Sequence, residues 1–279
     1  MIRAADALRD ATRRLTEAGI EDAPRDARRL LAHALGLAPD RLTLHLQDEV
    51  GAAARAAFEA AMTARLARQP VAQITGERLF WGRSFRVTRD TLDPRPETET
   101  LVAEALSQPF ARVLDLGTGT GCILLSLLAD RPEATGLGAD LSPAALEVAK
   151  DNAGRLSVAD RADFVLSDWF DAVSGQFDLI VSNPPYIAAD EMPSLSPDVR
   201  NWEPELALTP GGDGLIAYLR ITAGMGAHLA PAGRVIVEIG PSQGAAVAAM
   251  FARAGLQAVR ILPDLDGRDR CVVGTNAPS

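Results

Sequence analysis

From residue 112 onward, short apolar runs alternate with amphipathic helical stretches, and this alternation limits the fold more than any other feature of the chain. Apolar runs at 113–116, 134–139, 163–166, 179–181 and 235–239 are interleaved with helical patterns at 121–128, 143–152, 215–229 and 244–254. Such alternation predicts an α/β doubly wound sheet. The last two runs, 259–262 and 271–273, have no long helix between them, so an antiparallel terminal hairpin is expected.

The first third has another texture. Leu8, Leu15 and Ala18 recur at helical spacing, Asp22 precedes Pro24 as an expected cap, and 52–66 is an alanine-rich amphipathic run closed by Gln69-Pro70. Residues 1–76 are read as a small all-α domain, a packing or recognition module, with recognition preferred because no catalytic constellation lies there. Residues 77–279 hold a hairpin linker, suggested by Phe80-Trp81-Gly82-Arg83-Ser84-Phe85 alternating about its glycine, and then the doubly wound domain.

At 279 residues, 47% of them hydrophobic, the chain is long enough for one large and one small domain. No apolar run reaches the roughly 18 residues that span a bilayer. The segment MIRAADALRDATRR has no apolar signal core, so no membrane partner and a cytoplasmic location are expected. Cys122 and Cys271 lack CxxC or Cys/His spacing, which points to neither a disulfide framework nor a metal site. His33, His45 and His228 lie away from every motif, leaving little for Ser-His-Asp or Cys-His catalysis. The net charge of −9 is uneven: residues 1–90 carry 15 Arg against 12 acidic residues. No clustered positive footprint of the kind that neutralises nucleic-acid phosphates appears.

A strand at 113–116 runs straight into Gly117-Thr118-Gly119-Thr120-Gly121, which opens a helix. In a doubly wound sheet this is a switch-point crevice, and glycine lets a ligand approach the backbone closely. Asp115 at the strand end puts a carboxylate where a pyrophosphate is unwelcome and a ligand amino group is suited. Asp140 ends the next strand, about 20 residues after the loop, where an acid takes two ribose hydroxyls. Asp168-Trp169 ends the third and offers an acid and an indole to an adenine. Each has a bland alternative: Asp115 as a helix cap, Asp140 as the cap ahead of Pro143, Trp169 as a core residue. Jointly they describe an adenosine with an amino-acid tail, S-adenosylmethionine.

The fourth strand breaks off at Ser182-Asn183-Pro184-Pro185-Tyr186. The prolines fix their own φ and donate no hydrogen bond, so the chain leaves as a stiff hook with acceptors exposed. The Asn183 side-chain oxygen and the Pro184 carbonyl could receive both hydrogens of a planar NH2 group while the Tyr186 ring offers a flat face. The group held is an amide or an exocyclic amine; the alternative is a strand-ending turn with a buried aromatic.

These motifs, with Gln73-Ile74-Thr75-Gly76, Asp93-Pro94-Arg95-Pro96-Glu97-Thr98-Glu99, Asp168-Trp169-Phe170, Trp202-Glu203-Pro204-Glu205, Gly211-Gly212-Asp213-Gly214-Leu215, Glu238-Ile239-Gly240 and 264–270, resemble the release factor glutamine methyltransferases of the HemK type over nearly the whole chain. The glycine loop and NPPY say only amino or amide methyltransferase; the PRPETE, WEPELAL and DLDGRDR segments narrow the resemblance to this family. Asp93 departs from it, since an apolar residue commonly precedes that proline and arginine. The resemblance implies an N-terminal helical bundle, a hairpin and a class I, Rossmann-like, seven-stranded S-adenosylmethionine-dependent domain. It implies methyl transfer to the glutamine amide N5 in the GGQ motif of class I peptide chain release factors, a protein substrate, with no direct nucleic-acid partner. Asp115, Gly117, Thr118, Gly119, Thr120, Gly121, Asp140, Asp168, Trp169 and Asn183 are then expected at the cofactor. Asn183, Pro184, Pro185, Tyr186 and Arg95 are expected at the acceptor, with Asn183, Pro184 and Tyr186 in the catalytic role. Three rivals remain: an adenine-N6 methyltransferase acting on a flipped base, a ribosomal-protein glutamine methyltransferase, and a non-catalytic cofactor-binding scaffold.

Overall fold

The computed structural model describes residues 2–278. They form two units, one comprising the residues up to 77 together with 196–202, the other 78–195 and 203 onward. The first unit is helical, with helices Ala4–Glu17, Ala23–Ala34, Ala52–Leu66, Val71–Thr75 and Pro197–Trp202. Ala4, Ala7, Ala11 and Leu15 repeat at three- and four-residue steps and so bury one face of the first helix. Leu30, Leu31, Leu42 and Met62 complete this core. Inside it Arg65 bonds Asp26 Oδ2 at 2.7 Å and Asp198 Oδ2 at 2.6 Å, so the buried guanidinium is paired on both sides. Trp202 is held there too, its Nε1 donating to the Ala67 carbonyl at 3.2 Å and its own carbonyl accepting from Gln73 Nε2 at 2.9 Å. Asp22 stands at the expected cap position, but its carboxylate makes no capping bond. Its ψ of 31° is not the extended value of a capping residue, and Pro24 removes one of the N–H groups it would accept from.

β1 (Glu77–Phe80), which lies in the second unit from Arg78 on, and β2 (Arg83–Arg86) form the expected two-stranded hairpin. Phe80 and Phe85 tuck into the core below it, edge to face with ring centroids 6.1 Å apart. The main sheet contains β3 (Arg112–Leu116), β4 (Thr135–Asp140), β5 (Ala162–Leu166), β6 (Phe177–Ser182), β7 (Leu229–Glu238), β8 (Gln257–Pro263) and β9 (Asp269–Thr275), in the order β5-β4-β3-β6-β7-β9-β8. The first five strands are parallel. The terminal hairpin is antiparallel as expected, with the last strand, β9, inserted between β7 and β8. Apolar clusters cover both faces, one including Leu124, Leu128 and Phe80, the other Tyr218, Ile221 and Phe251.

The topology places the site. The chain starts at β3 in mid-sheet, winds outward to β5, then returns to lay β6 against the other edge of β3. Leu116 is therefore paired both with Ala139 and with Ser182, and Asp140 with Leu166. Four strand ends stand in a row at the reversal point, where side chains from distant parts of the sequence converge. No helix among the described residues is long and apolar enough to cross a membrane.

Candidate active site

Gly117, Gly119 and Gly121 all take left-handed backbone, with φ of 70°, 55° and 78°, which explains three glycines at alternate positions. The loop is pinned from below. Asp115 is fully buried, and its Oδ2 accepts from the Thr118 hydroxyl at 2.7 Å. Burial without a cationic partner pushes its carboxyl up to about 7. Asn152 ties the loop to the hairpin, donating from Nδ2 to the Thr120 carbonyl at 2.9 Å and to the Arg86 carbonyl at 3.1 Å.

Beside the loop lies a cavity of about 380 Å³ within the second unit. Its wall takes Gly117, Thr118, Gly119 and Thr120 from the loop, Asp140 from β4, Asp168 and Trp169 past β5, and Asn183 and Pro185 past β6. Asp140 Oδ2 accepts from the Gly119 N–H at 2.8 Å and Oδ1 from the Ser142 N–H at 2.9 Å. Burial raises its carboxyl above the ordinary value against these donors. The capping of the helix at Pro143 falls instead to Ser142, whose side chain accepts from the Ala145 N–H. Trp169 has a φ of 50°, a strained conformation for a tryptophan, within a turn held by the Ser167 hydroxyl donating to the Trp169 carbonyl at 2.9 Å.

Four residues expected at the site stand outside the cavity wall: Asp115, Gly121, Pro184 and Tyr186. Asp115 points beneath the loop, and Gly121 begins the following helix, where a Cβ would meet Leu125 Cδ1 at 2.9 Å. Pro184 is buried. Tyr186 packs against the core on one sheet face, and burial together with the Glu238 carboxylate pushes its phenol up to about 12. Its carbonyl accepts from Gln243 Nε2 at 2.9 Å. Arg95 does reach the wall, but its Nη2 is engaged by Glu203, at 2.6 Å to Oε1 and 2.8 Å to Oε2. Asp93 lies 3.5 Å from Arg78 and 4.0 Å from Arg95, which gives that carboxylate a neutralising place in a buried cluster. Glu203 precedes Pro204, Leu206, Ala207, Thr209 and Pro210 on the cavity wall, so the Arg95 pair anchors that stretch.

Sequence reasoning missed Thr98, Glu203 and Glu238. Each lay within a quoted segment, but none carries a motif of its own. Asn183 Nδ2 donates to Thr98 Oγ1 at 3.2 Å.

Residues 6–76 match the PrmC N-terminal domain family and 89–198 the methyltransferase small domain family. The chain is 66% identical to a release factor glutamine methyltransferase of Cereibacter sphaeroides, covering 97% of this chain and 98% of that one. It is 47% identical to a release factor glutamine methyltransferase of Rhodospirillum rubrum, covering 93% and 81%. Among solved structures, a methyltransferase from Pyrococcus furiosus superposes with a TM-score of 0.55 at 15% identity, over 78% of this chain and 98% of that one, a likeness of fold alone.

Proposed function

The chain belongs to the release factor glutamine methyltransferase family, and from that membership we propose that it moves a methyl group from S-adenosyl-L-methionine to the side-chain amide N5 of the glutamine in the GGQ motif of class I peptide chain release factors. The residues present suit the cofactor. A Cβ added to Gly117 would meet nothing within 4 Å, so the loop borders open space where a ligand can lie against bare backbone. Asp140 supplies a carboxylate for ribose hydroxyls, Asp168 and Trp169 an acceptor and a ring face for adenine, and Thr120 a backbone N–H group, those of Thr118 and Gly119 being taken by the Ala139 carbonyl and Asp140. Asp115 acts from beneath, holding Thr118 and so the loop. When bound, the cofactor supplies an electrophilic methyl group on a sulfonium.

An amide nitrogen is a weak nucleophile because its lone pair is delocalised into the carbonyl, so positioning must supply much of the rate. In this reading Asn183 Oδ1 and the Pro184 carbonyl accept the two amide hydrogens and aim the nitrogen. The same acceptors stabilise positive charge developing on that nitrogen. The proton leaves after transfer and needs no histidine. Arg95 holds Glu203 and, through it, the stretch beside the acceptor. The N-terminal unit serves to recognise the release factor, and the protein works in the cytoplasm without gripping nucleic acid.

The observation that carries this reading is the pairing of Leu116 with Ser182, which brings the glycine loop and NPPY to one cavity in a chain of this family. The test offers methyl-labelled S-adenosylmethionine with an unmodified release factor in one reaction and with adenine-containing DNA and RNA in another, read by mass spectrometry. One methyl on the GGQ glutamine is expected; label on adenine with an untouched factor overturns the proposal.

A further inference from the structure

The NPPY hook is held at both ends, and the side chain that holds its far end belongs to no motif. At the near end Ser182 pairs with Leu116 in the sheet, and its hydroxyl donates to the Leu116 carbonyl at 2.8 Å. At the far end the Tyr186 carbonyl accepts from Gln243 Nε2 at 2.9 Å, and the Ile187 N–H of the same peptide unit donates to the Leu208 carbonyl at 3.0 Å. Gln243 stands just ahead of the helix Gly244–Arg253. The other end of its amide is engaged too. Oε1 accepts from the Gly240 N–H at 3.0 Å and lies 3.2 Å from the Tyr218 hydroxyl, whose one proton is shared with the Glu238 carbonyl at 3.0 Å.

These partners fix which way the amide faces. A backbone N–H only donates and a carbonyl only accepts, so Oε1 must face Gly240 and Nε2 must face Tyr186. Two glycines leave room for this close contact. A Cβ on Gly240 would lie 3.1 Å from Gln243 Oε1 and 3.4 Å from the Tyr186 ring, and one on Gly214 would lie 2.3 Å from the Tyr186 carbonyl oxygen and 2.9 Å from Gln243 Nε2. Between the held ends, Pro184 and Pro185 have locked φ and no N–H, so neither donates a hydrogen bond of its own that could hold the turn. The course of the hook, and with it the place of the Pro184 carbonyl, is therefore set from its ends.

We propose that Gln243 is a positioning residue: by clasping the Tyr186 carbonyl it sets the spacing at which the Asn183 side chain and the Pro184 carbonyl both accept from one NH2 group. This rests on the proposed role of those two acceptors. Gln243→Met keeps the length of the side chain and removes both polar ends. Gln243→Asn keeps an amide but, a methylene shorter, cannot span from Gly240 to Tyr186. Tyr218→Phe removes only the hydroxyl beside Oε1 and leaves Gln243 bonded to Gly240 and Tyr186.

The experiment uses the full chain labelled with carbonyl-carbon-13 tyrosine. The chain has two tyrosines, so two carbonyl signals appear, and Tyr218→Phe identifies the one from Tyr186. Loss of a hydrogen bond moves a carbonyl signal upfield; the Tyr186 signal is expected to move in Gln243→Met and Gln243→Asn and to keep its place in Tyr218→Phe. Turnover is measured on an unmodified release factor and S-adenosylhomocysteine binding by calorimetry. Both Gln243 variants are expected to lower kcat about ten-fold or more with the factor's KM and the product's Kd within about two-fold of wild type, while Tyr218→Phe keeps the wild-type kcat. A Tyr186 signal that stays in place in both Gln243 variants overturns the inference, and so does a shifted signal with unchanged kcat. An equal loss of kcat in Tyr218→Phe overturns it as well, by marking a general loosening of the core. If the wild-type chain methylates no release factor, the functional reading fails while the Tyr186 signal still decides whether Gln243 holds the hook.

Discussion

Asn183 and Asp140 line one cavity but end different strands, and single substitutions should separate what they do. Asn183→Ala removes one acceptor for the substrate amide and leaves the glycine loop intact. Transfer should fall about 100-fold or more, the usual loss when a preorganised polar contact to the reacting group is deleted. Calorimetry should give an S-adenosylhomocysteine Kd close to wild type; an equal loss of cofactor affinity would refute this division. Asp140→Ala should weaken S-adenosylhomocysteine roughly ten-fold, about 1.4 kcal/mol. It also strips acceptors from the Gly119 and Ser142 N–H groups, so a modest loss of stability should accompany it. A Kd that does not move would reduce Asp140 to a loop fastener.

The connection after β6 depends on close approach. Gly214 has a φ of +79°, and a Cβ there would lie 2.3 Å from the Tyr186 carbonyl and 2.9 Å from Gln243 Nε2. Gly211 in the same connection has the same φ of +79° with nothing within 4 Å. The pair separates backbone strain from collision. Gly211→Ala should cost only the left-handed penalty, about 1 kcal/mol. Gly214→Ala should cost on the order of 3 kcal/mol and also slow transfer, because the displaced atom is the carbonyl of NPPY's last residue. Urea unfolding and single-turnover assays of both variants check this; equal costs would show that the segment simply moves aside.

For the molecule as a whole, buried carboxyls set the pH response. Burial raises Asp115 from an ordinary 3.8 to about 7. The native carboxyl thus holds a proton that the unfolded chain releases, and stability falls as pH rises from about 4 to about 7, then levels off. Asp115→Asn should remove that part of the slope, gaining on the order of 2–4 kcal/mol on wild type between the ends of the window. Glu238, raised to about 7 in the same way, keeps a residual slope in the variant. Urea midpoints across the window give the comparison, and parallel curves would mean that Asp115 is solvated or paired. The acidic net charge of −9 adds repulsion in the same direction above neutrality.

The strand and helix alternation, the glycine loop and NPPY could all be read from the chain because they rest on local chemistry. Apolar runs bounded by turn formers make strands whatever their neighbours, and only glycine sits easily at the three left-handed positions of the loop. Strand order, and with it the convergence of Gly119, Asp140, Trp169 and Asn183 on one cavity, follows from how the β-α units wind, so the individual residues anticipated the site better than its walls. Which polar groups face the cavity and which brace it was settled by packing. Asp115 and Tyr186 looked like contacts in sequence, yet burial turns one beneath the loop and the other against the core. Arg95 looked available, yet a glutamate 108 residues away occupies its guanidinium. Thr98 carries no signal of its own in sequence because a hydrogen-bond partner is a property of space: its hydroxyl and the Asn183 amide, 85 residues apart, meet only when the folded chain sets them side by side.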